Sequence, residues 1–177
     1  MLKLEADFLP PKDRVLLLKF CRFVLNKFVT NYKQRNSVIT IKIVDPKILE
    51  SDERKTLQEY AAMMYYDGVV NEKRSFRLYI KKSEYRSVRK SSLMRIKNIV
   101  LCLAHELVHV KQYLNNEMFD YNDDMSVRFK GEIHKVMSDE ENEAYYESPW
   151  ELEAYGREQG LYKMFKKLIT KKEDKKD

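Results

Sequence analysis

The sequence predicts a single α+β domain, and three observations carry that expectation. Helical and β-type hydrophobic periodicities alternate along the chain with few long breaks between them. The 177 residues suit one domain and are enough to bury a proper core. A composition 44% hydrophobic and 35% charged is that of a soluble globular protein. The domain is expected to span residues 1–170, with 171–177 as a charged flexible tail.

Pro10-Pro11 opens the first helix, at about residues 11–30, because proline fits the first turn, where its missing N–H is not needed. Val15, Leu16, Leu18, Cys21, Val24, Leu25 and Phe28 are its apolar positions, interrupted by Lys19 and Arg22. Ser37 to Val44 alternates and is β-branched, so it reads as a strand, which Asp45-Pro46 stops. A second helix is expected over about residues 46–65, ending near Asp67-Gly68. Val69-Val70 and Ser75 to Ile80 flank Asn71-Glu72-Lys73-Arg74 and form a hairpin, which makes the small sheet mainly antiparallel. Ile96, Ile99, Val100, Leu103, Leu107, Val110 and Leu114 recur at helical spacing and predict a core helix from about Ser91 to Asn116. Lys111 is the polar exception within it. Val127 to Gly131 follows as a short strand or extended loop, and an acidic stretch runs to Ser148-Pro149. The last helix covers about Pro149 to Thr170, with Trp150, Leu152, Ala154, Leu161, Phe165 and Leu168 as apolar surface.

Within the core helix stands His105-Glu106-Leu107-Val108-His109. Two imidazoles four residues apart share a helix face and can share one metal ion. Glu106 lies about 100° further round, beside the metal rather than on it, where it can take a proton from water. Ligand, base, ligand is the pattern of a zinc-dependent hydrolase.

Zinc needs a third protein ligand. Gln112 and Asn115 occupy the places where a metzincin has glycine and a third histidine, which excludes that class. His134 is the remaining histidine, and Glu147, Glu151 and Glu153 cluster around Pro149. Glu151 is favoured, because Ala154 one turn later lets the last helix approach the motif helix closely. Ser148-Pro149-Trp150-Glu151 also has the form of a capping box, in which Glu151 would reach back to the Ser148 amide instead.

Charge is unevenly spread within the net +6. Asn71 to Lys97 carries ten bases (Lys73, Arg74, Arg77, Lys81, Lys82, Arg86, Arg89, Lys90, Arg95, Lys97) against Glu72 and Glu84, whereas Glu117 to Glu158 carries thirteen acids against four bases. The 73–97 segment, with Phe76, Tyr79 and Tyr85 interleaved, could track a nucleic-acid backbone, although a solvated sheet face is the commoner cause of such a run. Neither a secretory leader nor a membrane span is expected, because the N-terminus is acidic and the next apolar run contains Lys19 and Arg22. Cys21 and Cys102 sit in apolar helical patterns and suit reduced, buried thiols in a cytoplasm. Few Gly and Pro with many Lys, Tyr and Asn fit an AT-rich genome, that of a phage or a low-GC bacterium.

His105-Glu106-Leu107-Val108-His109 followed by Glu151-Leu152-Glu153-Ala154 resembles the motif and glutamate helices of small gluzincin-type metallopeptidases, with their HExxH and later ExxA. The short chain, the strands before the motif helix and the segment from Ser148 to Glu158 are most similar to SprT-like and minigluzincin-like peptidases, many of them carried by bacteriophages. The resemblance covers roughly residues 36–165. It implies a zincin-like domain, zinc held by His105, His109 and Glu151, Glu106 as general base, and a protein or peptide substrate. Related gluzincins often place an acidic residue after the ExxA alanine to support a histidine ligand. Tyr155 stands there in this chain, which transfers that task to Glu158 or Asn142. The oxyanion of peptide hydrolysis needs a second electrophile, for which Tyr155 is the first candidate and Tyr121, Tyr145 and Tyr146 the others. The strand from Phe76 to Lys81 is expected to align an extended substrate. The rival functions are a nucleic-acid-associated protein and a structural phage component that keeps the fold without turnover.

Overall fold

The first strand lies where none was expected. A computed structural model of the chain, describing residues 1–86, 91–121, 126–135 and 145–173, places β1 (Leu2–Glu5) parallel to β2 (Ser37–Val44). Helix α1 (Pro11–Phe28) and the short α2 (Asn31–Arg35) form the crossover between them, and a crossover of this length returns the chain parallel. β2 pairs in parallel with β4 (Lys73–Lys81), and β3 (Ala62–Val70) pairs antiparallel with β4, giving the order β1-β2-β4-β3. The main sheet is therefore mixed, with two parallel pairings and one antiparallel, rather than mainly antiparallel.

The expected helix over 46–65 is replaced by three pieces. Pro46–Ile48 makes a 3-10 turn, α3 (Ser51–Glu59) is short, and the chain then becomes β3. The alternation within β3 explains the change. Met63 and Tyr65 pack on one sheet face beside Leu57 of α3 and Tyr79, while Ala62, Met64 and Tyr66 meet the main core on the other. The β3–β4 hairpin closes through Asn71 and Glu72, both at positive φ as a two-residue hairpin turn requires, so Lys73 and Arg74 belong to the strand.

On the core face, Ile39, Ile41 and Ile43 of β2 and Phe76, Leu78 and Ile80 of β4 form a continuous apolar surface. α5 (Lys97–Leu114) lies against it and buries residues around nearly its whole circumference, with α1 and α6 (Pro149–Glu173) packed on its other sides. It starts later than expected because Ile96 leaves helical geometry and splits off a single turn, α4 (Ser92–Arg95). α6 runs three residues beyond Thr170, to Glu173. The remainder of the proposed tail, 174–177, lies outside the described residues. Ala154, Leu161 and Phe165 of α6 are buried as expected, whereas Leu152 and Leu168 are exposed. No described helix is long and apolar enough to cross a membrane.

A second, antiparallel sheet extends the single strand expected near Val127: β5 (Met118–Tyr121), β6 (Ser126–Phe129) and β7 (Glu132–Lys135). Val127 and Phe129 pack on Trp150, which attaches this sheet to the start of α6.

Asp13 of α1 is fully buried and accepts hydrogen bonds from Arg95 Nε at 2.9 Å, Arg95 Nη2 at 2.8 Å and the Tyr85 hydroxyl at 3.1 Å. Removing one partner of a buried pair leaves the other charge uncompensated. Asp13→Ala is expected to cost about 3 kcal/mol, at the lower end for such pairs because Arg95 keeps some contact with water. Urea unfolding at unchanged m-value reads this loss.

Candidate metal centre

His105 and His109 project from one face of α5, their rings edge to face with centroids 4.7 Å apart and their Nε2 atoms 3.0 Å apart. Glu151, in the first turn of α6, meets both, with Oε2 at 3.1 Å from His105 Nε2 and Oε1 at 3.2 Å from His109 Nε2. Ala154 is completely buried at the α5–α6 contact, consistent with a small side chain permitting close approach. The capping box does not form. Glu151 turns into the site, and the Ser148 hydroxyl has no hydrogen-bond partner among the described residues.

The outer nitrogens fix what the inner ones present. His105 Nδ1 lies 2.9 Å from Glu158 Oε1, and His109 Nδ1 lies 2.9 Å from Gln112 Oε1. Both neighbours are acceptors, so in a neutral ring the proton resides on Nδ1 and the Nε2 lone pair points inward. Two lone pairs and a carboxylate then face one another in a buried space and require positive charge between them. A tetrahedral zinc with bonds of about 2.0–2.1 Å separates its ligand atoms by about 3.3 Å, close to the spacings found here. His105, His109 and Glu151 can thus hold one divalent cation, their ligand atoms all lying within 4.8 Å of one another.

The same demand for positive charge appears in the acid–base behaviour. Burial lowers the His105 pKa, but hydrogen bonds to Glu151 and Glu158 outweigh it and raise the value to about 10. His109 is raised as well, burial opposing and Glu151 prevailing. Burial resists ionisation of Glu151, yet the two imidazoles hold its carboxyl well below the usual carboxylate range. Glu106 is raised by burial, with His109 and His105 opposing.

The other third-ligand candidates are elsewhere. Glu153 pairs with Lys111 at 2.7 Å, Glu147 is exposed, and His134 of β7 packs edge-on to Trp150. Of the two groups considered for supporting a histidine, Glu158 contacts His105, whereas Asn142 lies outside the described residues.

A cleft of about 780 Å³ opens beside the cluster, lined by Glu106 and by the tyrosines considered for the oxyanion, Tyr121, Tyr145, Tyr146 and Tyr155. The Tyr155 ring packs against His105 with centroids 4.5 Å apart, and its pKa is pushed up to about 12 by burial and by Glu151. Tyr145 donates its hydroxyl to Glu151 Oε1 at 2.8 Å. Met63, Met64 and Tyr65 of β3 also line the cleft. β3 is one edge of the sheet and β1 the other, while β4 is enclosed by β2 and β3, so the Phe76–Lys81 strand has no free edge for a substrate.

Neither protein-family models, curated proteins nor solved structures give a match to this chain.

Several bases of the 73–97 segment are already engaged within the chain. Arg74 donates to the Tyr113 carbonyl and Asn116, Arg77 pairs with Asp67 and Glu53, Lys81 donates to the Gln58 carbonyl, and Arg95 holds Asp13. Arg89 and Lys90 lie outside the described residues. Cys21 and Cys102 are free thiols, Cys21 buried and Cys102 half-buried at the cleft wall. In the sequence Gln112 stands out only as the residue in place of the metzincin glycine, although its spacing from His109 places the two side chains on one helix face. Lys111 is unexplained there, because its partners lie 6 and 42 residues away in the chain.

Proposed function

We propose that the chain is a zinc-dependent peptidase with a zincin-like fold, hydrolysing peptide bonds in the cleft beside His105, His109 and Glu151. The observation that carries this reading is the buried meeting of two Nε2 atoms and one carboxylate at 3.0–3.2 Å, with Glu106 next to them on α5. Zinc held by His105, His109 and Glu151 would supply Lewis acidity there, bringing the pKa of water down to about 7. Glu106 accepts the proton of the attacking water and returns it to the leaving amine. Tyr155, beside His105 and with its pKa raised, keeps its phenolic proton and donates it in a hydrogen bond to the developing oxyanion. Glu158 and Gln112 keep the imidazoles oriented. The free edge of β3 offers backbone donors and acceptors along the cleft, and an extended peptide bound there needs no particular sequence.

The direct test is metal dependence. Purified protein is expected to contain one zinc per chain and to cleave an unstructured protein such as casein, to lose activity on chelation, and to regain it with stoichiometric zinc. Protein that binds no zinc under these conditions excludes the reading.

A further inference from the structure

We propose that Gln112 is the positioning residue for His109. Its side-chain amide, locked between α5 and α6, holds the imidazole in the tautomer and orientation that direct Nε2 towards Glu151 and a divalent cation. The inference rests on reading the cluster as a metal centre and adds a residue that the HExxH and ExxA patterns do not contain.

Gln112 is fully buried, and each end of its amide has a defined neighbour. Nε2 donates to the Trp150 carbonyl at 3.0 Å and to Glu153 Oε2 at 3.3 Å, while Oε1 faces His109 Nδ1 at 2.9 Å. Rotating the amide by half a turn would set its oxygen against a carbonyl and a carboxylate, so only one orientation is tolerated. With Oε1 fixed as an acceptor, His109 Nδ1 must be the donor, and in the neutral ring Nε2 carries the free lone pair.

Glu153 is itself met by three cations. Lys111 Nζ lies 2.7 Å from its Oε1, Arg157 Nη2 2.8 Å from the same oxygen, and Lys130 Nζ 3.3 Å from Oε2. Lys111 in turn meets Glu117. Glu153 thus serves the metal centre at one remove, through Gln112. The two imidazoles are supported differently, His105 by a carboxylate and His109 by a neutral amide, which keeps one negative charge out of the inner site.

The test compares wild type with Gln112→Met, which retains the volume and removes the acceptor. Zinc affinity, read by competition with a chromogenic chelator, is expected to weaken about 10–100-fold. In the zinc-loaded protein, the His109 Nδ1–H proton is expected to give a protected, downfield NMR signal that moves upfield and exchanges faster in the variant. A substitution acting only on stability would not move that signal. An unshifted signal, or an affinity within about twofold of wild type, overturns the proposal. Zinc bound by neither protein overturns the metal reading as well, which distinguishes the two failures. Should Gln112→Met not fold, Gln112→Leu takes its place beside Gln112→Glu, which keeps an acceptor opposite His109 Nδ1 and is expected to hold zinc more tightly than Gln112→Leu. Equal affinity of the two overturns the proposal.

Discussion

Glu106→Gln is expected to leave the protein folded and fully zinc-loaded while lowering kcat for peptide hydrolysis about 10²–10⁴-fold, the usual contribution of a positioned general base. The amide matches the carboxylate in shape but cannot accept a proton, so the substitution isolates the proton-transfer step. Zinc content should be unchanged because Glu106 is not among the three groups that converge on the cation site. Its surroundings fit the role. The side chain is buried, lines the cleft, and has its pKa raised by that burial while the neighbouring imidazoles oppose the rise, a balance that favours a base able both to take and to return a proton. Glu106→Asp, which keeps the acid and withdraws it by one methylene, should recover only part of the rate. A Glu106→Gln enzyme turning over at the wild-type rate with zinc bound would exclude Glu106 as the base.

The parts of this site legible in the sequence are those governed by short-range geometry. Four-residue spacing on a helix fixes the relation of His105 to His109 without any knowledge of the rest of the fold. Glu151 was harder, because Ser148-Pro149-Trp150-Glu151 also satisfies a local rule, and only the position of α5 decides that the carboxylate turns to the histidines rather than to its own N-cap. Strand β3 shows the same conflict at the level of the fold. Tyr60 to Tyr66 can be laid on a helix, but Leu57 and Tyr79 on one face and the main core on the other stabilise the alternating conformation. β1 and β7 are four residues each, with Lys3 and Glu5 in the one and Glu132 and Lys135 in the other, so their pairing partners define them more than their own composition does. Lys111 is the extreme case. A buried ammonium is intelligible only once Glu117 and Glu153 are brought to it.

Removing zinc is expected to destabilise the fold and to make its stability decline as pH rises above about 6.5. At free zinc about a thousandfold above Kd, binding to the native state alone contributes about 4 kcal/mol, lost on chelation and visible as a lower urea midpoint. In the metal-free protein the imidazoles set the slope. His105, raised to about 10 by Glu151 and Glu158 against the effect of burial, contributes stability that is fully present below its ordinary pKa of 6.5 and disappears as pH rises through about 10. His109 acts in the same sense. Glu151, held below its ordinary 4.5, contributes stability present above that value and lost as pH falls beneath it. Metal-free protein should therefore be most stable between about pH 4.5 and 6.5 and weaken towards pH 10. With zinc saturating at fixed free concentration that decline disappears, because above about pH 6.5 the imidazoles are unprotonated both on the metal and in the unfolded chain, and stability falls instead below about pH 6.5, where protons bind the unfolded imidazoles. Glu151→Gln removes the carboxylate that both behaviours share, so it should flatten the metal-free curve and weaken zinc binding together. Parallel curves with and without zinc would mean that the metal is not held by these imidazoles.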